Sequence, residues 1–170
     1  MRRLYSTLLA IAMPLILLRL WWRGRREPGY RRNVGQRLGR YELPWTEKLV
    51  WVHAVSVGEA RAAAPLVRAL QGALPGHRVL MTCTTAAGRE TLRQLYGDSI
   101  EASFVPYDLP SAVQRFLGYF RPRLGVIMET EVWPNLIHAC AAGGIPLVLA
   151  NARMSEKSAR GYARLRGLTR

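Results

Sequence analysis

Trp51-Val-His-Ala-Val-Ser-Val-Gly-Glu59 decides how this chain is read. Leu49 to Val55 is a near-continuous apolar run, the composition of a strand buried on both faces of a parallel sheet. Ser56-Val-Gly58-Glu59 then supplies a turn and a carboxylate where the next helix is expected to begin. Open α/β sheets bind ligands at the carboxyl ends of their strands. Glu59 is therefore a candidate base, able to accept the proton of a substrate hydroxyl. The bland alternative is a helix-terminal Glu that only complements the helix dipole. Gly58 is expected to allow a tight turn and the close approach of a substrate.

Working outward, apolar runs and helix-periodic segments alternate along the rest of the chain. Strands are expected over 49–55, 78–84, 103–107, 124–128 and 146–150. Helices are expected over 60–74, 85–96, 110–120, 132–142 and 155–168. Pro65 lies either near the first turn of the first helix or at a kink within it. Pro110 suits the start of the third helix, and Arg121-Pro122 its end. Five β-α units in a row imply an α/β fold, a Rossmann-like parallel sheet covered by helices on both faces. No Gly-x-Gly-x-x-Gly follows the first strand, and no Gly-x-x-x-x-Gly-Lys-Ser/Thr occurs anywhere. Dinucleotide and P-loop nucleotide sites are thereby disfavoured.

The chain has 170 residues, 49% of them hydrophobic, and a formal net charge of +14. That is enough for one domain with a real core, and the charge calls for an anionic partner. Cys83 and Cys140 are the only cysteines. They show no metal-ligand or disulfide spacing and read as small core residues. His53, inside the first strand, reads as a core histidine, and His77 and His138 as surface residues.

Leu4 to Trp22 is dominated by Leu, Ile, Ala, Met and Trp, with Pro14 and Arg19 as interruptions, and arginines flank it on both sides. No small-residue cleavage site follows, which argues against a removed signal peptide. Residues 1–22 are read as a membrane-anchor helix, with a helix lying in the interface as the alternative to a span. Trp21 and Trp22 suit the interface, and the arginines suit an anionic cytoplasmic leaflet. Residues 23–44 form a basic linker and 45–170 the Rossmann-like domain. The basic cluster abuts an apolar segment, unlike a nucleic-acid-binding arm, so nucleic acid is not the expected partner.

Three further motifs fall at expected strand ends. Thr82-Cys-Thr84-Thr85 offers hydroxyls at a strand-to-helix turn, suited to an anion or a sugar or, alternatively, to capping the helix. Glu129-Thr-Glu131-Val-Trp-Pro-Asn135 places two acids and an aromatic together. Asn151-Ala-Arg153-Met-Ser155 adds a guanidinium able to grip a phosphate or carboxylate, with Ser155 as a helix N-cap.

Taken in this order, after an apolar N-terminal segment, these motifs resemble the Kdo transferases of Gram-negative bacteria, and the resemblance covers essentially the whole chain. It implies the amino-terminal, acceptor-binding half of a two-domain GT-B glycosyltransferase. The carboxy-terminal donor domain is expected to lie beyond Arg170, so these residues alone are expected to be inactive. Such an enzyme moves 3-deoxy-D-manno-octulosonic acid (Kdo) from CMP-Kdo to the 6′-hydroxyl of lipid IVA with inversion. The resemblance makes Glu59 the catalytic base and Glu131, with Glu129, an acidic contact of the acceptor side. Ser56, Gly58, Thr84, Thr85, Arg153 and Ser155 shape the substrate cleft. It implies no cofactor and no metal in the transfer step, and an anionic membrane as partner, on the cytoplasmic face of the bacterial inner membrane. The alternatives are another GT-B lipid glycosyltransferase and a membrane-bound module that holds anionic lipid without turnover.

Overall fold

The structure, a computed structural model, describes residues 1–42, 44–129, 131 and 133–152. Arg153, Ser155 and the helix expected over 155–168 lie outside the described residues. Five parallel strands form one sheet: β1 (Leu49–His53), β2 (Arg78–Cys83), β3 (Glu101–Phe104), β4 (Gly125–Met128) and β5 (Leu147–Ala150). Their order is β3-β2-β1-β4-β5. All five residues of β1 are buried, as a strand paired on both sides requires. Trp51, for example, stands opposite Leu80 on β2 and Gly125 on β4.

Alternate residues of the strands feed two cores. Val52, Val79, Met81, Cys83 and Val126 face one side of the sheet, with Ala60, Val67 and Leu92 from three helices. These helices are α3 (Val57–Ala62), α4 (Ala64–Ala73) and α5 (Ala86–Tyr96). Leu49, Trp51 and Leu80 face the other side. There they meet Val113, Phe116 and Phe120 of α6 (Pro110–Phe120) and Leu136 and Cys140 of α7 (Pro134–Ala142). Both cysteines are free and buried. Gly125 is required by this packing. A Cβ there would stand 2.5 Å from Leu147 Cδ2 and 2.9 Å from the Trp51 ring.

Several element boundaries differ from the sequence expectation for local reasons. The single helix expected over 60–74 is two helices, broken at Ala63, and Pro65 occupies the first turn of the second. Proline is tolerated there because that N–H has no intrahelical acceptor. The strand expected over 103–107 ends at Phe104. Pro106 cannot donate to a ladder, and the Tyr107 N–H goes instead to the Arg37 carbonyl, 2.8 Å away. The fourth helix starts at Pro134 rather than Val132. The third helix is as expected, closed by Arg121 in a left-handed conformation before Pro122.

The N-terminal helix α1 (Arg2–Arg26) runs past Trp22 through the first basic residues. A 3-10 turn (Pro28–Tyr30) and the short helix α2 (Val34–Arg37) follow. Residues in this basic stretch fold onto the domain. The Gln36 side chain accepts from the Phe104 N–H at 3.2 Å, and Arg115 Nη2 donates to the Leu38 carbonyl at 2.6 Å. The start of α1 docks on α7, where Arg2 Nη1 and Ser6 Oγ both donate to Asn135 Oδ1, at 3.2 and 3.1 Å. Leu4, Leu8, Ile11, Leu15, Leu18 and Trp22 are exposed. Their three- and four-residue spacing places them on one face of the helix.

Candidate functional site

The strand order reverses between β1 and β4, so the crevice of this sheet opens outside their carboxyl ends. The chain leaving β1 enters α3 through Ser56, whose backbone is extended (φ −119°, ψ 170°). Ser56 Oγ accepts from the Glu59 N–H at 3.3 Å. Glu59 reaches back to the same turn. Its Oε2 accepts from the Val55 N–H at 2.7 Å and its Oε1 from the Ser56 hydroxyl at 3.0 Å. This is a variant of the capping box, encoded by Ser-x-x-Glu, in which the Glu side chain reaches the N–H one residue before the N-cap.

Capping leaves room for chemistry. A carboxylate offers about four acceptor positions, and two are used. The residue is 9% exposed, and two hydrogen bonds fix its carboxylate beside the carboxyl end of β1. Gly58 differs from expectation. It lies within α3 with ordinary helical geometry, and a Cβ there would meet only Ser56 Oγ, at 3.8 Å. The tight turn is made by Ser56 instead, and the exposed Gly58 leaves open space beside Glu59.

Glu129 and Glu131 follow β4. Glu129 adopts φ 59°, a left-handed conformation that costs a non-glycine residue about 1 kcal/mol or more. Its N–H is held by the Ala150 carbonyl at 2.9 Å. The half-buried Glu131 carboxyl is pushed above the usual range. Burial is the main cause, and the negative charges of Glu59 and Glu129 add to it, while the Trp133 indole opposes it. The three acids thus share one electrostatic neighbourhood across the switch point. Among the described residues, no three His, Cys, Asp or Glu side chains converge closely enough to hold a metal ion.

The threonines stand one strand away. Thr84 Oγ1 donates to the Val55 carbonyl at 3.1 Å, tying the end of β2 to the turn that carries Glu59. Thr85 caps α5, its Oγ1 accepting from the Gly88 N–H at 2.9 Å. Both also line a cavity of about 300 Å³ with Arg19, Arg23, Arg37 and Trp133. A cavity of about 560 Å³ lies at the other end of the strands, at the start of β3, between Tyr41, Trp45, Glu101 and Phe120.

His53 is fully buried, with Nδ1 2.9 Å from Thr82 Oγ1 and 3.1 Å from the Thr82 carbonyl. Burial lowers its pKa to about 4. It is neutral near pH 7 and, as expected, a core residue. A carbonyl only accepts, so Nδ1 carries the proton, and Nε2 has no partner among the described residues.

Two residues that sequence reasoning missed organise the surroundings. Asp108 is buried after β3, and its oxygens accept from the Asn135 and Leu136 N–H groups at 3.0 and 2.8 Å. It caps α7 from 27 positions away and positions Asn135 for α1. Burial raises its pKa, and the bonds to Asn135 and Leu136 oppose that shift. Arg37 is 3% exposed, although it belongs to an arginine-rich stretch that reads as solvated.

Residues 32–170 match the family model described as 3-deoxy-D-manno-octulosonic-acid transferase (kdotransferase). The chain is similar to the 3-deoxy-D-manno-octulosonic acid transferase of Haemophilus influenzae, at 40% identity over 168 residues. That match takes in 97% of the chain and 39% of the relative. It is also similar to the Bordetella pertussis protein of the same name, at 44% identity over 169 residues, 94% of the chain and 39% of the relative. The chain thus spans about two fifths of the length of these curated relatives. With the match running from the basic stretch after α1 through every strand of the sheet, the chain belongs to the 3-deoxy-D-manno-octulosonic-acid transferase family.

Proposed function

We propose that this chain is the acceptor-binding half of a GT-B enzyme that transfers Kdo from CMP-Kdo to the 6′-hydroxyl of lipid IVA. The observation that carries the reading is the Glu59 carboxylate, fixed by the Val55 N–H and the Ser56 hydroxyl at the β1/β4 switch point. Glu59 accepts the proton of the acceptor hydroxyl as its oxygen attacks the anomeric carbon of Kdo. The bond from that carbon to CMP breaks, and attack from the face opposite the leaving group inverts the configuration. The tethers on Glu59 keep its remaining lone pairs aimed into the crevice, the kind of orientation that makes such a proton transfer effective. Glu131 and Glu129 contact the acceptor across the switch point, and Arg153 and Ser155 complete the cleft. The donor is held by a second domain, and no metal takes part in the transfer.

The acceptor is a membrane lipid, and α1 supports attachment to a membrane. It is long and apolar enough to cross one by length and composition, and its exposed apolar stripe is bordered by Arg19, Arg23, Arg25 and Arg26. Arginines in that position suit the anionic cytoplasmic surface of the inner membrane. The test is to incubate the full-length gene product, in membranes, with CMP-Kdo and lipid IVA. The expected product is lipid IVA carrying Kdo on its 6′-oxygen with inverted anomeric configuration. Lipid binding without any product would favour a non-catalytic lipid-holding module, and transfer from a different donor would favour another lipid glycosyltransferase.

A further inference from the structure

Arg37 is a buried cation with no carboxylate partner among the described residues. Its Nε and Nη2 have no hydrogen-bond partner among the described residues, where the one ion pair joins Arg23 to Glu27. Aromatic rings flank the guanidinium instead, with Phe104 3.8 Å and Tyr30 5.8 Å from its carbon. Ring faces attract a cation, but they do not satisfy its N–H donors, and an unpaired buried charge is unfavourable. Unsatisfied buried donors are rare, and a bound ion is one of the things that completes them.

Arg37 lines the cavity of about 300 Å³ described above. Arg19 and Arg23 of α1 line the same space, as do Thr84 and Thr85. Thr85 is the N-cap of α5, an eleven-residue helix, and its hydroxyl accepts from the Gly88 N–H while its own proton is free to be donated. The Arg19 and Arg37 guanidiniums, the part of Arg23 not paired with Glu27, and the Thr85 hydroxyl form a donor set around one cavity suited to a tetrahedral oxyanion. The place is also specific. Thr84 bonds the Val55 carbonyl, and the Val55 N–H bonds Glu59, so the cavity adjoins the turn that holds the proposed base.

We infer that this cavity is a phosphomonoester-binding site, with Arg37 as its buried anchor. That the phosphate belongs to the sugar acceptor rests on the function proposed above; the site itself does not. Arg19 and Arg23 come from α1, so the site is complete only when α1 is docked on the domain.

The test is equilibrium binding of inorganic phosphate to the full chain in neutral detergent micelles, followed by 31P NMR, for the wild type, Arg37→Met and Arg19→Gln. Saturable binding is expected, weakened about ten- to hundredfold by Arg37→Met, the range for losing hydrogen bonds to a charged group. Arg19→Gln is expected to weaken it severalfold. In phosphate-free buffer, Arg37→Met is expected to unfold at or above the wild-type temperature, because it removes an uncompensated charge. Absence of saturable binding, or equal binding by wild type and Arg37→Met, overturns the proposal. Should Arg37→Met fail to fold, Arg19→Gln decides, and an unchanged affinity there overturns it.

Vesicles identify the source. Arg37-dependent binding to phosphatidic acid, but not phosphatidylglycerol, in phosphatidylcholine vesicles assigns the site to a lipid monoester. Arg37-dependent binding of inorganic phosphate alone assigns it to a free phosphate. Neither arm needs a sugar donor. Arg37-dependent phosphate binding without Kdo transfer would overturn the transfer reading and leave this site standing, whereas transfer with no Arg37-dependent binding would overturn only this site.

Discussion

His53 makes the stability of this fold depend on pH in a way that can be worked out in advance. Its pKa is lowered from 6.5 to about 4, chiefly by burial, with the Thr82 carbonyl opposing. The unfolded chain therefore binds a proton in a range where the folded chain does not. Stability is fully present above the unfolded pKa and is lost as pH falls from there through the folded value. A difference of this size corresponds to about 3 kcal/mol. The assay is urea denaturation between pH 4 and 8 of wild type and His53→Gln, an amide able to donate to the Thr82 carbonyl. Asp and Glu titrations are common to both proteins and cancel in the difference. The wild type is expected to lose about 3 kcal/mol relative to the variant as pH falls through this window. Parallel pH profiles would refute the reasoning and place the ring in a less buried, better partnered setting.

Other outcomes follow from the same geometry. Asp108→Asn puts an amide where one carboxylate oxygen now accepts a backbone N–H, and is expected to cost about 2–3 kcal/mol in thermal or urea unfolding. It also loosens Asn135 and with it the docking of α1, which increased proteolysis of the first helix would report. Gly125→Ala forces Leu147 or Trp51 to move and is expected to cost about 1–3 kcal/mol by the same unfolding assay. Glu131 ionises at a penalty in the folded state, so its contribution lowers stability as pH rises through its usual range towards the raised value. Glu131→Gln is expected to remove that decline from the pH–stability profile.

The fold was legible because its signals are local. The apolar run at 49–55 marked the central strand, and Pro110 and Arg121-Pro122 bounded α6. Pro65 carried a break, but whether it kinked one helix or opened a second depended on the close of α3 at Ala63. Pro106 held the information that ends β3 early, yet the decisive event is remote, because Tyr107 pairs with Arg37. The site was legible in part for the same reason. Ser56 and Glu59 are three residues apart, and their capping geometry and proposed chemistry use the same atoms. Asp108 and Arg37 left no comparable trace. Asp108 acts on Asn135 and Leu136 across the fold. Arg37 is one arginine among Arg31, Arg32 and Arg40 until tertiary packing buries it beside Phe104. Glu129 and Asn151 show their left-handed backbones only in the structure.

The central claim is that the Glu59 carboxylate acts on the acceptor as well as capping α3. Single-turnover Kdo transfer by Glu59→Gln, with the folded fraction measured in the same sample, tests it most directly. Gln can still accept from the Val55 N–H, so the cap is largely kept, at a cost of about 1 kcal/mol. The account predicts transfer about 10²–10⁴-fold slower from protein that remains folded. A rate within about threefold of wild type, where general-base loss should cost at least a hundredfold, would contradict it and leave Glu59 as a helix cap alone.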